Sequence, residues 1–250
     1  RGQIFKDMLK DENLVSDGLV ETGKRPTTVK TRIICDNQQL LRVDQEIEEY
    51  LSEELEHALI DKIFSVIDSR KIDAIIFQDY DKGVITPLLI DRIIGFANKK
   101  SIPIFVDPKK RNFSKYKNIT LFKPNFKELI TGLNIDIDKK DFNSVFNAAK
   151  LLHKQGAFKL VLITLSELGI LVSDGKNYHV VPAEVRDVAD VSGAGDTVIA
   201  TVALGFLSGL SSKQIAVLAN LAGGIVCEKA GVFPIEKELL LKENFILPED

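Results

Sequence analysis

The chain has 250 residues, 45% of them hydrophobic and 28% charged, with a formal net charge of −3. A chain of that length buries one substantial core, so a single domain over residues 1–250 is the expectation. The charge balance gives no electrostatic footprint for nucleic acid or a membrane surface. The longest apolar stretch, after Asp196, is broken by Thr201 and Gly205 and is too short to span a bilayer.

Residues 2–10 read as a helix already under way at Arg1, with no Met before it. Residues 27–46 alternate around Asp36-Asn37-Gln38 like a half-exposed strand pair, an antiparallel flap beside a main sheet. From Ala74 onward, apolar runs of strand length (74–77, 103–106, 119–122 and 160–163) alternate with helical patterns at 87–100 and 141–155. Continuous apolar strands separated by helices predict an α/β fold, a mostly parallel sheet covered by helices on both faces. Each strand leads to a polar residue: Asp79, Asp107, Asn125 and Thr164. That edge is where open α/β sheets place their ligands. Residues 170–181 read as a hairpin centred on Asp174-Gly175.

Cys35 and Cys227 stand far apart without neighbouring His, so neither a zinc site nor a disulfide framework is indicated, and a reduced, cytoplasmic protein is the default. His57, His153 and His179 show no catalytic or metal spacing.

The most informative segment is Asp190-Val191-Ser192-Gly193-Ala194-Gly195-Asp196-Thr197, a Gly-flexed turn running into an apolar helix. Its glycines let the N–H groups of Ala194, Gly195 and Asp196 aim at one point, and the helix dipole adds positive charge there. A carboxylate in such an anion site repels the anion unless it takes a proton from a nucleophile attacking it, the logic of a kinase base beside a phosphoryl group. The alternative is a plain helix N-terminus with Asp in its first turn.

Asn125 and Glu128 fall on one face at a helix start, where their oxygens suit a hydrated Mg²⁺ that bridges phosphates; an N-cap with Glu at its third position fits equally. Lys82, Lys109 and Arg111 are candidates to neutralise phosphate oxygens, or solvated loop charges. No G-x-x-x-x-G-K-[ST] occurs, and Val198 stands where a dinucleotide fingerprint wants its third Gly.

The turn before Asp196 resembles the Asp-Thr-x-Gly-Ala-Gly-Asp signature of the ribokinase-like (PfkB) sugar kinases, with Val191 in place of the usual Thr. Asn125-Phe126-Lys127-Glu128 resembles that family's Asn-x-x-Glu motif, which orients metal and triphosphate. Thr164-Leu165-Ser166-Glu167-Leu168-Gly169 resembles its nucleotide-binding turn, with Ser166 replacing a Gly, and Asn220 falls on the helix that borders the adenine pocket in relatives. Residues 25–34 and 37–44, Asp79-Tyr80-x-Lys82-Gly83 and Ser166 itself resemble the subfamily of bacterial D-glycero-β-D-manno-heptose 7-phosphate kinases.

The resemblance, which runs from about Arg1 to Val232, implies a ribokinase-like fold with an antiparallel lid at about 26–46. It implies ATP and Mg²⁺ as cofactors, with Asp196 as base and the Gly193, Ala194 and Gly195 turn around the transferring group. Asn125 and Glu128 would organise the metal. Thr164, Ser166, Gly169, Asn220 and Lys109 would lie at the nucleotide, and Lys82, Asp79, Lys30 and Arg42 at the sugar phosphate. A homodimer through the lid is expected, because relatives' lids meet one another. Nothing here matches the Gly-Gly-x-x-Asn segment with which relatives open, so the expectation is a domain without its N-terminal strands. Another PfkB sugar kinase and an idle nucleotide-binding remnant are the competing readings.

Overall fold

The computed structural model describes residues 1–35, 38–184, 186–243 and 247–248. Its contacts divide the chain into two units, Arg1–Lys71 with Asp81–Ile93, and Ile72–Tyr80 with Ile94–Asp250.

In the first unit, helix α1 (Gly2–Asp11) precedes an antiparallel pair, β1 (Val29–Cys35) and β2 (Gln38–Gln45), and helix α2 (Glu53–Ser69). Register places Lys30 opposite Asp44, Thr31 opposite Val43 and Ile33 opposite Leu41. Because side chains alternate across a strand, charges collect on one side of the hairpin and Ile33, Leu41 and Val43 on the other, where all three are exposed. The predicted turn residues Asp36 and Asn37 lie outside the described residues.

The turn 81–83 belongs to the same unit and is bound to the chain leaving β2. The Arg25 guanidinium donates to the carbonyls of Ile47, Glu49 and Lys82. The Leu51 N–H donates to the Gly83 carbonyl at 3.0 Å. Gly83 has φ +72, and a Cβ there would lie 1.9 Å from the Glu49 carbonyl oxygen, so both conformation and space demand glycine. The chain then enters α3 (Pro87–Lys99), where Thr86 caps the Leu89 N–H.

The second unit is built on one sheet in the order β3 (Ile75–Gln78), β4 (Ile104–Asp107), β5 (Leu121–Phe122), β6 (Leu160–Thr164), β7 (Ile170–Ser173), β8 (Tyr178–Val181). Pairing is parallel from β3 to β6 and antiparallel thereafter. Its helices are α4 (Phe126–Leu133), α5 (Phe142–Gly156), α6 (Ala194–Leu207), α7 (Ser212–Cys227) and α8 (Lys237–Lys242). Phe105, Leu121, Leu162, Ile170 and Val172 point to one face and pack with Val198, Ile199 and Val202 of α6 and Ile215 and Ala219 of α7. The next residue along, Phe122, points to the opposite face and stacks on Phe158, with Phe113 edge-on. Burial of both faces is why these strands read as unbroken apolar runs. Gly223 lets α6 and α7 approach, since a Cβ there would lie 2.9 Å from Val198.

Candidate active site

The parallel strands end side by side, and their ends carry the polar residues. At β3, side-chain alternation sends Gln78 and Tyr80 one way and Asp79 the other. Asp79 is buried, and its Oδ2 accepts from Asn112 Nδ2 at 3.0 Å and Tyr116 OH at 3.1 Å. These two bonds fix the strand end at the residue expected among the sugar contacts. Gln78 Nε2 donates to Asp107 Oδ2 at 3.0 Å, and Tyr80 OH donates to Asp196 Oδ2 at 3.1 Å. Partial burial of the hydroxyl end, then the charge of Asp196 and the bond to it, push the Tyr80 phenol up to about 12.

At the end of β4, Asp107 is buried and pairs through Oδ2 with Lys123 Nζ at 3.1 Å, itself buried at the end of β5. Asp107 Oδ1 is buried without a hydrogen bond from the described residues, with Lys109 Nζ 3.9 Å away. Lys109 pairs with Glu128. Burial works against the Lys109 charge, but Asp107, Glu128 and Asp79 outweigh it and hold its pKa above the ordinary value.

Asn125 and Glu128 form a reciprocal capping box at the start of α4: Glu128 N–H donates to Asn125 Oδ1 and Asn125 N–H to Glu128 Oε2, each at 2.8 Å. The cap is therefore formed, and it engages the Asn125 oxygen expected to serve a metal. Both Glu128 oxygens are engaged too, Oε2 in the cap and Oε1 by Lys109, and the oxygen left without a bond from the described residues is Asp107 Oδ1. Among the described residues no group of three or more His, Cys, Asp or Glu could hold a metal by itself. Such a donor set fits an ion that keeps waters and takes its remaining ligands from phosphate.

The turn before α6 is braced by Asp190, whose Oδ1 accepts the Ser192 N–H at 2.9 Å and whose Oδ2 accepts the Gly231 N–H at 3.1 Å. Gly193, with φ +85, is the N-cap. The Ala194 N–H donates to the Val191 carbonyl at 3.2 Å and the Thr197 N–H to the Gly193 carbonyl at 2.9 Å. The expected three-donor nest thus narrows to Gly195 and Asp196, whose amides open the helix. A Cβ on Gly195 would lie 3.5 Å from Asp107 Oδ2 and 3.7 Å from Lys123 Nζ, so the start of α6 rests on the buried ion pair.

Thr164 ends β6 beside Asn125, to which it is bridged in parallel. Ser166 adopts φ +53, the left-handed backbone that a Gly would take freely, so the path of the turn survives the substitution. Gly169, at φ +89, would drive a Cβ to 2.0 Å from the Val181 carbonyl oxygen. Asn220 donates from Nδ2 to the Pro182 carbonyl at 2.9 Å and ties α7 to the exit of β8.

Lys30, Arg42 and Lys82 lie in the first unit. Glu46 bridges Lys30 and Lys82 at 2.7 Å each, Glu48 meets Lys82 at 2.6 Å, and Asp44 pairs with Arg42 at 2.6 Å. The sequence reading passed over Gln78 and Lys123 and gave Tyr80 no role. A lysine closing an apolar strand was the available signal for Lys123.

A carboxylate at an open helix N-terminus, on the strand-end edge of a parallel sheet, is the arrangement of a phosphoryl-transfer enzyme. The family model described as pfkB family carbohydrate kinase matches residues 1–238, and the chain belongs to that family, phosphotransferases that act on a sugar hydroxyl. Among curated relatives, the bifunctional protein HldE of Aliarcobacter butzleri is 40% identical over 227 residues, covering 91% of this chain and 47% of its own length. That of Granulibacter bethesdensis is 37% identical over 236 residues, covering 92% and 48%. The chain spans about half the length of the curated relatives it matches. Escherichia coli phosphofructokinase-2 in complex with potassium superposes with a TM-score of 0.79 at 20% identity, over 96% of this chain and 77% of that one. Arabidopsis thaliana ribokinase complexed with ribose and ATP gives 0.64 at 18%, over 87% and 69%. These likenesses establish the ribokinase-like fold, a sheet with helices and a separate small antiparallel pair.

Proposed function

We propose that the chain transfers the γ-phosphoryl group of ATP to the anomeric hydroxyl of D-glycero-β-D-manno-heptose 7-phosphate, giving the 1,7-bisphosphate used in lipopolysaccharide core assembly. The observation that carries the chemistry is Asp196 on the first turn of α6, beside the open N–H groups of Gly195 and Asp196. The choice of sugar rests on the resemblance of the lid strands and of Asp79-Tyr80-x-Lys82-Gly83 to the heptose kinases. It also rests on HldE relatives that cover some nine-tenths of the chain.

In this reading Asp196 accepts the proton of the attacking hydroxyl. The transition state is loose, so the proton moves late and positioning does most of the work. The Gly195 and Asp196 amides, with the dipole of α6, stabilise charge on the transferring group. Lys109 neutralises phosphate oxygens. The Thr164–Gly169 turn, with Ser166, and Asn220 border the nucleotide, and Lys82, Lys30 and Arg42 receive the sugar's own phosphate in exchange for their present carboxylate partners. Mg²⁺, when bound, would supply charge neutralisation to the triphosphate, and Asn125, Glu128 and the neighbouring Asp107 are the residues that would hold it.

ATP supply places the reaction in the cytoplasm. The exposed apolar side of the lid, Ile33, Leu41 and Val43, is the face for a second copy, giving a homodimer that sedimentation would report.

The test is ADP release from Mg·ATP with heptose 7-phosphate, fructose 6-phosphate, ribose or no acceptor, with Asp196→Asn run alongside. Turnover with heptose 7-phosphate alone, reduced about 10²–10⁴-fold in Asp196→Asn, is expected. Turnover with a different sugar would keep the family and discard the substrate. ATP binding without turnover on any acceptor would make the chain a nucleotide-binding remnant.

A further inference from the structure

Three consecutive residues at the end of β3 divide their tasks by the pleat. Asp79 is locked beneath the strand by Asn112 and Tyr116, and Gln78 is held by Asp107. Tyr80, between these fixed points and the departure of the chain into the 81–83 turn, has a predetermined direction. The residue is 58% exposed, yet its hydroxyl reaches across 116 residues of sequence to a single oxygen, Asp196 Oδ2. An exposed tyrosine gains little from burial, and what this one offers is a hydroxyl aimed at a carboxylate.

We propose that Tyr80 is a positioning residue for the base, holding Asp196 Oδ2 so that Oδ1 faces the acceptor hydroxyl. The inference rests on the reading of Asp196 as base. A carboxylate on the first turn of a helix has two free torsions, and a base left to turn through them spends part of its time misaligned. A charge-assisted bond from a group fixed by the sheet removes that freedom. Beyond Asp196, the charged group that acts on the Tyr80 phenol is Asp107 at the end of β4, itself paired with Lys123 at the end of β5. Asp107, like Asp196, disfavours a phenolate, so Tyr80 keeps its proton through the neutral range and remains a donor.

Two measurements on the full chain test this. Tyr80→Phe removes only the hydroxyl from a largely exposed side chain, so the thermal midpoint stays put. Its kcat falls roughly tenfold to a hundredfold, the loss of one hydrogen bond to a charged group, while KM for ATP and for the sugar phosphate stays the same. Ultraviolet titration of the phenols between about pH 9 and 11 reads the pair without turnover, since ordinary tyrosines ionise near 10. Burial of the hydroxyl end persists in Asp196→Asn, so relative to the unmodified chain that variant gains part of one tyrosine's phenolate in that range, and the gain is absent when Tyr80→Phe is added. Unchanged kcat in Tyr80→Phe, or equal titrations with and without Asp196→Asn, would overturn the assignment. Absence of turnover in the unmodified chain would instead sink the functional reading, and the titration would still judge the pairing.

Discussion

Lys123 Nζ lies 3.1 Å from Asp107 Oδ2, both side chains buried, where the start of α6 rests through Gly195 on the pair. A buried pair contributes modestly when intact, because desolvation offsets much of its attraction, but removing one member strands the other charge. Lys123→Met should therefore cost about 3–5 kcal/mol, read by urea denaturation. Lys123→Met with Asp107→Asn should recover part of that loss. A double variant no better than the single one would show that Lys123 contributes by packing and not by charge.

Gly195 makes a sharper steric prediction. Its missing Cβ would sit at ordinary contact distance from the ion pair, and its φ is not in the left-handed region. Gly195→Ala should fold with a thermal midpoint close to that of the unmodified chain. Gly195→Leu must force its branch into the Asp107–Lys123 pair and should cost about 1–3 kcal/mol by overpacking. It should also lose most turnover, because the displaced turn carries Asp196. Equal tolerance of Ala and Leu would mean that α6 does not rest on the pair as described.

Much of this was legible in the chain. The apolar runs from Ala74 located the parallel strands, with β3 and β4 offset by one residue and β5 two residues shorter than its run, because burial on both faces keeps the strands largely apolar. Asp174-Gly175 gave the hairpin of β7 and β8. Helix α2 went unread, although Ser52 ahead of Glu53, Glu54 and Glu56 is a helix-start signal; Ser52 accepts the Leu55 N–H there. The site was legible as motifs and not as partners. Spacing put Asn125 and Glu128 on one face but could not choose between cap and metal, and the structure forms the cap. The Tyr80–Asp196 and Lys123–Asp107 contacts join different strands and helices, so no local pattern encodes them.

Gly83 tests how the 81–83 turn is held. With φ +72 and the Glu49 carbonyl in the space of a Cβ, Gly83→Ala must move the turn away from residues 47–51, at a cost of about 2–3 kcal/mol. Lys82 moves with it. In the proposed reaction KM for the sugar phosphate rises while KM for ATP is unchanged. A rise in both would place the defect in the whole fold, outside the turn.

The β1–β2 hairpin should respond to acid before the sheet does. Asp44 is held down at about 2 from an ordinary 3.8, first by its hydrogen bond from Arg42 and then by Lys30, and Glu46 is lowered by Lys30 and Lys82. A carboxylate depressed in the folded state contributes stability above its unfolded pKa and loses it as pH falls through the folded value. For Asp44 that window runs from about pH 4 down to about 2. These pairs are open to solvent, so the loss is local opening of the β1–β2 hairpin, and added salt mimics part of it. Amide hydrogen exchange, corrected for its intrinsic pH dependence, should show protection of residues 29–35 and 38–45 falling across that window while β4 and β6 stay protected. In Asp44→Asn the hairpin should start less protected and change less with pH, and an unchanged pH response in that variant would remove Asp44 from the account.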